Sequence, residues 1–352
     1  MKIGIVGLPN VGKSTLFNAL TRNYAADAQN FPFCTIEPNI MVNVNDPRLE
    51  AIRKAVGGQK TIPANCEFID IAGIVEASKE LGNKFLANIR QVNVILQVVR
   101  YFQDDNIVHV SGKVNPKNDR EVINSELILA DIETLQKRIG ENAKKARSSD
   151  EAKSAQASYE TVLEKMNEGM LAIDAIPEEE QEYYTDLHLL TNKKFVYAVN
   201  VAEDMMNASQ ETLREILGIP NATVVPICAK LEADMIDMTP EEREAFLSEM
   251  GLVTTGLDHL IKTSYDALGL QYYFTAGEKE VRAWTVPVAT APQAAGVIHT
   301  DFEKTFIKAD VVNWKDLVEC GGWTGAREKA RVRMEKDYIV QDGDVILFKT
   351  GA

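Results

Sequence analysis

The first residues able to do chemistry form a grip for phosphate. Gly7-Leu8-Pro9-Asn10-Val11-Gly12-Lys13-Ser14 has the spacing G-x-x-x-x-G-K-S. Glycines there let successive backbone amides converge on anionic oxygens, and a helix opening on the loop adds positive potential. The Lys13 ammonium reaches β- and γ-phosphates, and the Ser14 hydroxyl ligates magnesium. The expected nucleotide contacts are therefore Asn10, Val11, Gly12, Lys13, Ser14 and Thr15. The competing reading, a glycine turn before a structural helix, leaves the lysine and the hydroxyl unexplained.

Downstream, Asp70-Ile71-Ala72-Gly73 ends an apolar run as Asp-x-x-Gly, which sets a carboxylate near the metal and the Gly73 amide near the γ-phosphate. Thr35, between the two motifs, is a candidate for the second magnesium hydroxyl of a switch loop, with an ordinary loop threonine as the alternative. The expected metal set is Ser14, Thr35 and Asp70. After the run Phe195 to Val199, where GTPases carry Asn-Lys-x-Asp, the chain has Asn200-Val201-Ala202-Glu203. Val201 lacks a lysine's long charged stem, and the longer Glu203 must push its carboxylate into the guanine position. Guanine preference should weaken, while the Asn200 carboxamide suits the N6/N7 edge of adenine. Cys228, Ala229 and Lys230, just past the run Val224 to Ile227, complete the nucleotide-binding set.

The position after Gly73 is Ile74, where many GTPases have a glutamine that orients water. An aliphatic side chain cannot do so, which leaves three candidates for catalysis. They are the Gly73 amide, Asn10 as a ligand for potassium that offsets transition-state charge, and His109 approaching from the polar stretch Asp104 to His109.

Apolar runs at Lys2 to Val6, Ile40 to Val44, Cys66 to Ile71 and Val94 to Val99 alternate with helical stretches, an α/β pattern. From about Asp119 the period changes. Ile123, Leu127, Ile132, Leu135 and Ile139 share one helical face, and Tyr159, Val162, Leu163, Met166 and Met170 share another. Ser148-Ser149-Asp150 between them reads as a turn and N-cap, so the economical arrangement is an antiparallel helical hairpin. Strands at Lys194 to Val199 and Val224 to Ile227 resume the α/β pattern. Strands at Tyr272 to Thr275, Val281 to Val286, Phe306 to Val312 and Val345 to Lys349, with the Asp342-Gly343 turn, form a small mixed module. The expected divisions are 1–118 with 192–270 for the nucleotide-binding domain, 119–191 for the hairpin insertion and 271–352 for the last module.

The 352 residues carry a formal net charge of -14, with 45% hydrophobic and 26% charged residues, an ordinary globular balance. That acidity works against nucleic-acid binding through the overall field and leaves it to local patches. Two such patches are Lys137, Arg138, Lys144, Lys145 and Arg147 at the hairpin, and Arg327, Lys329, Arg331 and Arg333 in the last module. The four cysteines have no metal-binding or paired spacing and read as reduced thiols. No long apolar run or export segment is evident, so the expected compartment is the cytoplasm, with neither membrane nor DNA as a partner.

Taken together, the motifs resemble one family, the YchF or Obg-like ATPases of the translation-factor-related P-loop class. The resemblance rests on Gly7 to Leu20, Phe31 to Asn39, Asp70 to Gly73, Leu81 to Leu86, Asn200 to Glu203, Phe274 to Trp284 and the TGS-like tract Thr290 to Lys304. It implies a P-loop NTPase domain with a mixed, mostly parallel sheet, an inserted α-helical coiled-coil hairpin and a C-terminal ubiquitin-like β-grasp (TGS) module. It also implies ATP preferred over GTP, magnesium as cofactor with potassium as a second candidate, and a link to translation control and stress. The implied partner is the ribosome, through its large subunit or the whole 70S or 80S particle. The chain departs from the family pattern in a shorter segment at Glu76 to Glu80 and in Gln97, where a histidine is common.

Three functions follow for comparison: a ribosome-binding, nucleotide-switched ATPase of low intrinsic turnover; a GTPase acting in ribosome assembly; and a kinase for a small molecule, which the Asp-x-x-Gly switch and the tail disfavour.

Overall fold

The computed structural model describes residues 1–24, 39–71, 79–335 and 337–351. Thr35, Gly73, Ile74, Cys34 and the segment 76–78 lie outside them. The strands are β1 (Lys2–Gly7), β2 (Asn39–Val44), β3 (Thr61–Ile62), β4 (Ala64–Asp70), β5 (Val94–Arg100), β6 (Lys194–Asn200), β7 (Thr223–Ile227), β8 (Gln271–Ala276), β9 (Val281–Val286), β10 (Phe306–Asn313), β11 (Arg333–Glu335) and β12 (Asp344–Thr350). The helices that matter below are α1 (Lys13–Tyr24), α2 (Pro47–Val56), α3 (Lys79–Gln91), α4 (Pro116–Lys145) and α5 (Asp150–Asn167).

Two compact units divide the chain: residues 1–42 with 67–267, and residues 43–66 with 268–352. The first is built on a six-stranded sheet in the order β2-β4-β1-β5-β6-β7. β1 pairs in parallel with β4 and β5, and β5, β6 and β7 continue in parallel. The central strands β1 and β5 are buried on both faces, as a parallel sheet covered on both sides demands. Parallel pairing gathers the carboxyl ends of β1, β5 and β6 at one edge, where ligands of open α/β sheets bind.

The hairpin expected from the period change is present. Ile128, Ile132 and Leu135 of α4 pack with Ala155, Tyr159, Val162 and Met166 of α5. Ser149 caps α5 by accepting the Ala152 amide at 3.3 Å, as the Ser-Ser-Asp turn predicts. Met170 departs from the expected face, because α5 ends at Asn167 and Gly169 turns the chain with φ +90°. The middle of α4 is fixed by Asp131, whose carboxylate accepts the Leu190 and Thr191 amides and the Thr191 hydroxyl, each at 2.7 Å.

The second unit is a six-stranded mixed sheet in the order β11-β10-β12-β8-β9-β3. The expected Asp342-Gly343 turn is there, with Gly343 at φ +88° and space for no side chain. A Cβ at that position would lie 2.8 Å from the Trp314 ring. Residues 43–66, which the sequence reading leaves in the nucleotide domain, pack here instead. β3 is the parallel partner of β9, and α2 lies against β8 and β9. Arg48 of α2 donates to Asp342 at 2.7 Å and sits 5.1 Å from the ring centroids of Tyr272 and Phe274. A segment this short has no core of its own, so it forms structure only on a sheet completed by distant residues.

Candidate functional site

β1 ends at Gly7, and the phosphate-loop motif turns through Asn10 (φ 62°) and Gly12 (φ 95°) before α1 begins at Lys13. The Leu16 amide donates to the Gly12 carbonyl at 2.9 Å, so the first amides of α1 stay unspent and face the loop. The Lys13 ammonium is hydrogen-bonded to Asp70 Oδ1 at the end of β4. Two motifs far apart in sequence thus meet at one point, with the Ser14 hydroxyl one residue away on an exposed turn. Oxygen donors of this kind, a hydroxyl and a carboxylate, suit magnesium, which keeps several waters and takes phosphate oxygens. Among the described residues no cluster of three His, Cys, Asp or Glu side chains exists to hold a metal without a phosphate.

The loop opens into a cavity of about 950 Å³. Its lining includes Asn10, Gly12, Lys13, Ser14 and Thr15 from the loop, Asn200 to Glu203 from the end of β6, and Cys228, Ala229 and Lys230 beyond β7. Val11 is buried, and its carbonyl accepts from the Asn200 amide.

Three expected site residues make contacts that their spacing does not announce. Asn200 is 3% exposed, its Nδ2 donates to the Val11 carbonyl at 2.8 Å, and its Oδ1 accepts the Ala229 amide at 3.1 Å. Both ends of the carboxamide hold backbone, so it braces the phosphate loop against the segment after β7, while its second N–H and second lone pair remain for a base edge. Glu203 lines the cavity and pairs with Lys230 at 3.3 Å. His109, expected in a loop able to approach the phosphates, is buried. Its Nε2 bonds Asp119 Oδ2 at 2.8 Å and its Nδ1 lies 2.9 Å from the Ser111 hydroxyl. Burial raises the Asp119 carboxyl above its ordinary range, an effect that the His109 hydrogen bond opposes.

Asn10 keeps its place in the loop, its Nδ2 donating to the Val108 carbonyl at 3.1 Å. Burial pushes the Cys228 thiol up, so it is a poor nucleophile where it lines the cavity.

The opposite wall was missed by motif reading. Phe102, Gln103, Asp104 and Ile107 line it, from the loop that follows β5. Position was the available signal: this loop leaves the carboxyl end of the strand beside β1, where open parallel sheets bind ligands.

Known proteins resemble the chain over nearly its whole length. A family model described as a 50S ribosome-binding GTPase matches residues 2–138, and the YchF-GTPase C-terminal family, described as a protein of unknown function, matches residues 270–351. The ribosome-binding ATPase YchF of Escherichia coli O157:H7 is 51% identical, over 99% of this chain and 98% of its own. The Bacillus subtilis protein of the same name is 49% identical, over 98% of each. The solved structure of the Schizosaccharomyces pombe YchF GTPase superposes with a TM-score of 0.88 at 34% identity, covering 99% of this chain and 97% of that one.

Proposed function

The chain belongs to the YchF family, and from that premise we propose that it is a ribosome-binding ATPase that hydrolyses ATP to ADP and phosphate and changes its partners with the nucleotide bound. The observation that carries the reading is the meeting of Lys13 with Asp70 at the mouth of the glycine loop. Incoming β- and γ-phosphates take the Lys13 ammonium, which frees the Asp70 carboxylate toward the metal side. Magnesium held through Ser14 and Asp70, with Thr35 as a further oxygen, neutralises phosphate charge when bound. The loop amides hold the leaving oxygens in line, and the Gly73 amide and Asn10 are the further groups facing the γ-phosphate. Potassium at Asn10 is a second cation within this reading, through the amide oxygen. His109 takes part in hydrolysis only after leaving Asp119, which accords with slow intrinsic turnover.

ATP over GTP is supported by the same geometry. Recognition of guanine needs a carboxylate turned to N1–H and the 2-amino group, and Glu203 is engaged with Lys230. A GTPase of ribosome assembly remains the second reading, since a matching family model carries the description GTPase. It requires Glu203 to exchange Lys230 for the base. Calorimetric titration with ATP and with GTP, both with magnesium, tests the choice: tighter GTP binding would overturn the ATPase reading. Phosphate release without an added acceptor separates both from a kinase.

Ribosome contact, on the large subunit or the whole particle, is proposed for the hairpin and the last module. Among the described residues Lys144, Lys145 and Arg147 at the hairpin tip have no carboxylate partner, whereas Arg327 and Arg331 pair with Asp310 and Asp316. Unpaired cations on the exposed end of a long helix suit rRNA phosphates best. The site of action is then the cytoplasm, and no helix among the described residues is long and apolar enough to cross a membrane.

A further inference from the structure

Arg100, the last residue of β5, is 1% exposed, and its hydrogen bonds go to backbone carbonyls. Its Nε donates to the Phe102 carbonyl at 3.2 Å, its Nη2 to that of Asp104 at 3.2 Å and its Nη1 to that of Ile107 at 3.0 Å. A longer contact of 3.5 Å joins Nη1 to the Asn10 carbonyl. The guanidinium carbon also lies 4.3 Å from the centroid of the Phe102 ring. Burying a guanidinium is costly unless its donors are satisfied, and here one short loop accepts three of the five. The loop is thereby wound around the cation with its carbonyls inward. Phe102, Asp104 and Ile107, the residues held in this way, line the cavity together with Gln103.

We infer that Arg100 is the positioning residue for base selection: it fixes the shape of the 102–107 wall that a purine meets. This rests on the nucleotide reading above and deepens it. Across the cavity the Asn200 carboxamide braces backbone with part of its hydrogen-bonding capacity and Glu203 pairs with Lys230, so those two residues are not the whole of the surface that a base meets. The 102–107 wall adds to them a surface whose form, not its charge, discriminates. Five donors in a planar fork span several carbonyls at once, and a lysine at the same place spans fewer.

The test uses the full-length protein, wild type and Arg100→Lys, titrated with ATP, GTP and inorganic tripolyphosphate, the last a probe with no base. The expected result for Arg100→Lys is ATP affinity lower by about tenfold or more, the scale of a lost charged hydrogen bond. The ATP-to-GTP preference shrinks with it, while tripolyphosphate binding moves less than about twofold, within the scatter of changes that spare the phosphate loop. An equal loss for all three probes would assign Arg100 to the phosphate loop through Asn10 and overturn the inference, as would an unchanged preference. Should the variant not fold, hydrogen exchange on the wild type decides. Amides of 101–110 slow with ATP and not with tripolyphosphate if the loop reads the base, and equal slowing with both sinks the idea. A wild type that binds tripolyphosphate but not ATP overturns the base wall alone, and one that binds neither overturns the nucleotide reading itself.

Discussion

Asn200 fills the space that a side chain at Gly12 would need: a Cβ built on Gly12 lies 2.2 Å from the Asn200 amide nitrogen. The phosphate loop and the β6 end are thus fitted to each other as backbone and brace. Asn200→Ala leaves the buried Val11 carbonyl and Ala229 amide unpaired, at about 1–3 kcal/mol for each buried group. Urea unfolding is expected to show that loss together with weaker ATP binding. A variant of unchanged stability whose ATP-to-GTP preference alone shifts would return Asn200 to the role of base reader.

Lys13 and Asp70 make separable predictions. Lys13→Ala is expected to weaken triphosphate binding by about 100-fold, since a desolvated ammonium–phosphate contact is worth roughly 3 kcal/mol. Its unfolding midpoint should move little, because the ion pair is partly exposed. Asp70→Asn should bind ATP normally in chelator yet gain little from added magnesium. Titrations with and without magnesium check both variants, and a magnesium response intact in Asp70→Asn would remove Asp70 from the metal set.

His109 holds a buried carboxylate. His109→Ala deprives Asp119 of its partner and should cost about 1–3 kcal/mol of stability. Thermal unfolding and single-turnover hydrolysis of the same sample separate two roles. Lost stability with intact turnover marks a structural pair, whereas lost turnover at full stability means that the histidine leaves Asp119 during the reaction.

Glu232 supplies a pH dependence. It is buried beneath the amide of Leu257, which donates to its Oε1 at 3.2 Å, and desolvation pushes its carboxyl from 4.5 up to about 7 against that hydrogen bond. A raised acid holds its proton longer folded than unfolded, so its contribution to stability is fully present below about pH 4.5. That contribution is lost as pH rises toward and through 7. The swing is roughly 3 kcal/mol at most. Glu232→Gln keeps the acceptor and removes the charge, so it should flatten this slope and be the more stable protein at pH 8. Denaturant melts at pH 5 and pH 8 settle the point, and parallel slopes for the two proteins would refute it.

The phosphate loop was legible because eight adjacent residues carry its whole signal. The strands of the first sheet and the two hairpin helices were legible as well, since burial on both faces or on one stripe writes itself into periodicity. Asn200 was legible in position, but its hold on the Val11 carbonyl and the Ala229 amide was not, because an amide that reads a base and one that braces backbone look alike in sequence. The winding of the 102–107 loop on Arg100 left no trace, as carbonyl acceptors belong to every residue type. Nor did α2 and β3 announce their sheet: β3 is two residues long, and its partner β9 lies far along the chain.

That distant pairing governs how the polypeptide can be made and divided. Translation delivers α2 and β3 early, but their sheet exists only after the final strands have left the ribosome, so a stretch near the amino end must wait for the carboxyl end before it can settle. A stop codon after Ala267 would strand Leu49 and Ile52 in water, and a fragment started at Leu268 would lack the neighbour that closes β9. Neither half is a free-standing product of a single cut.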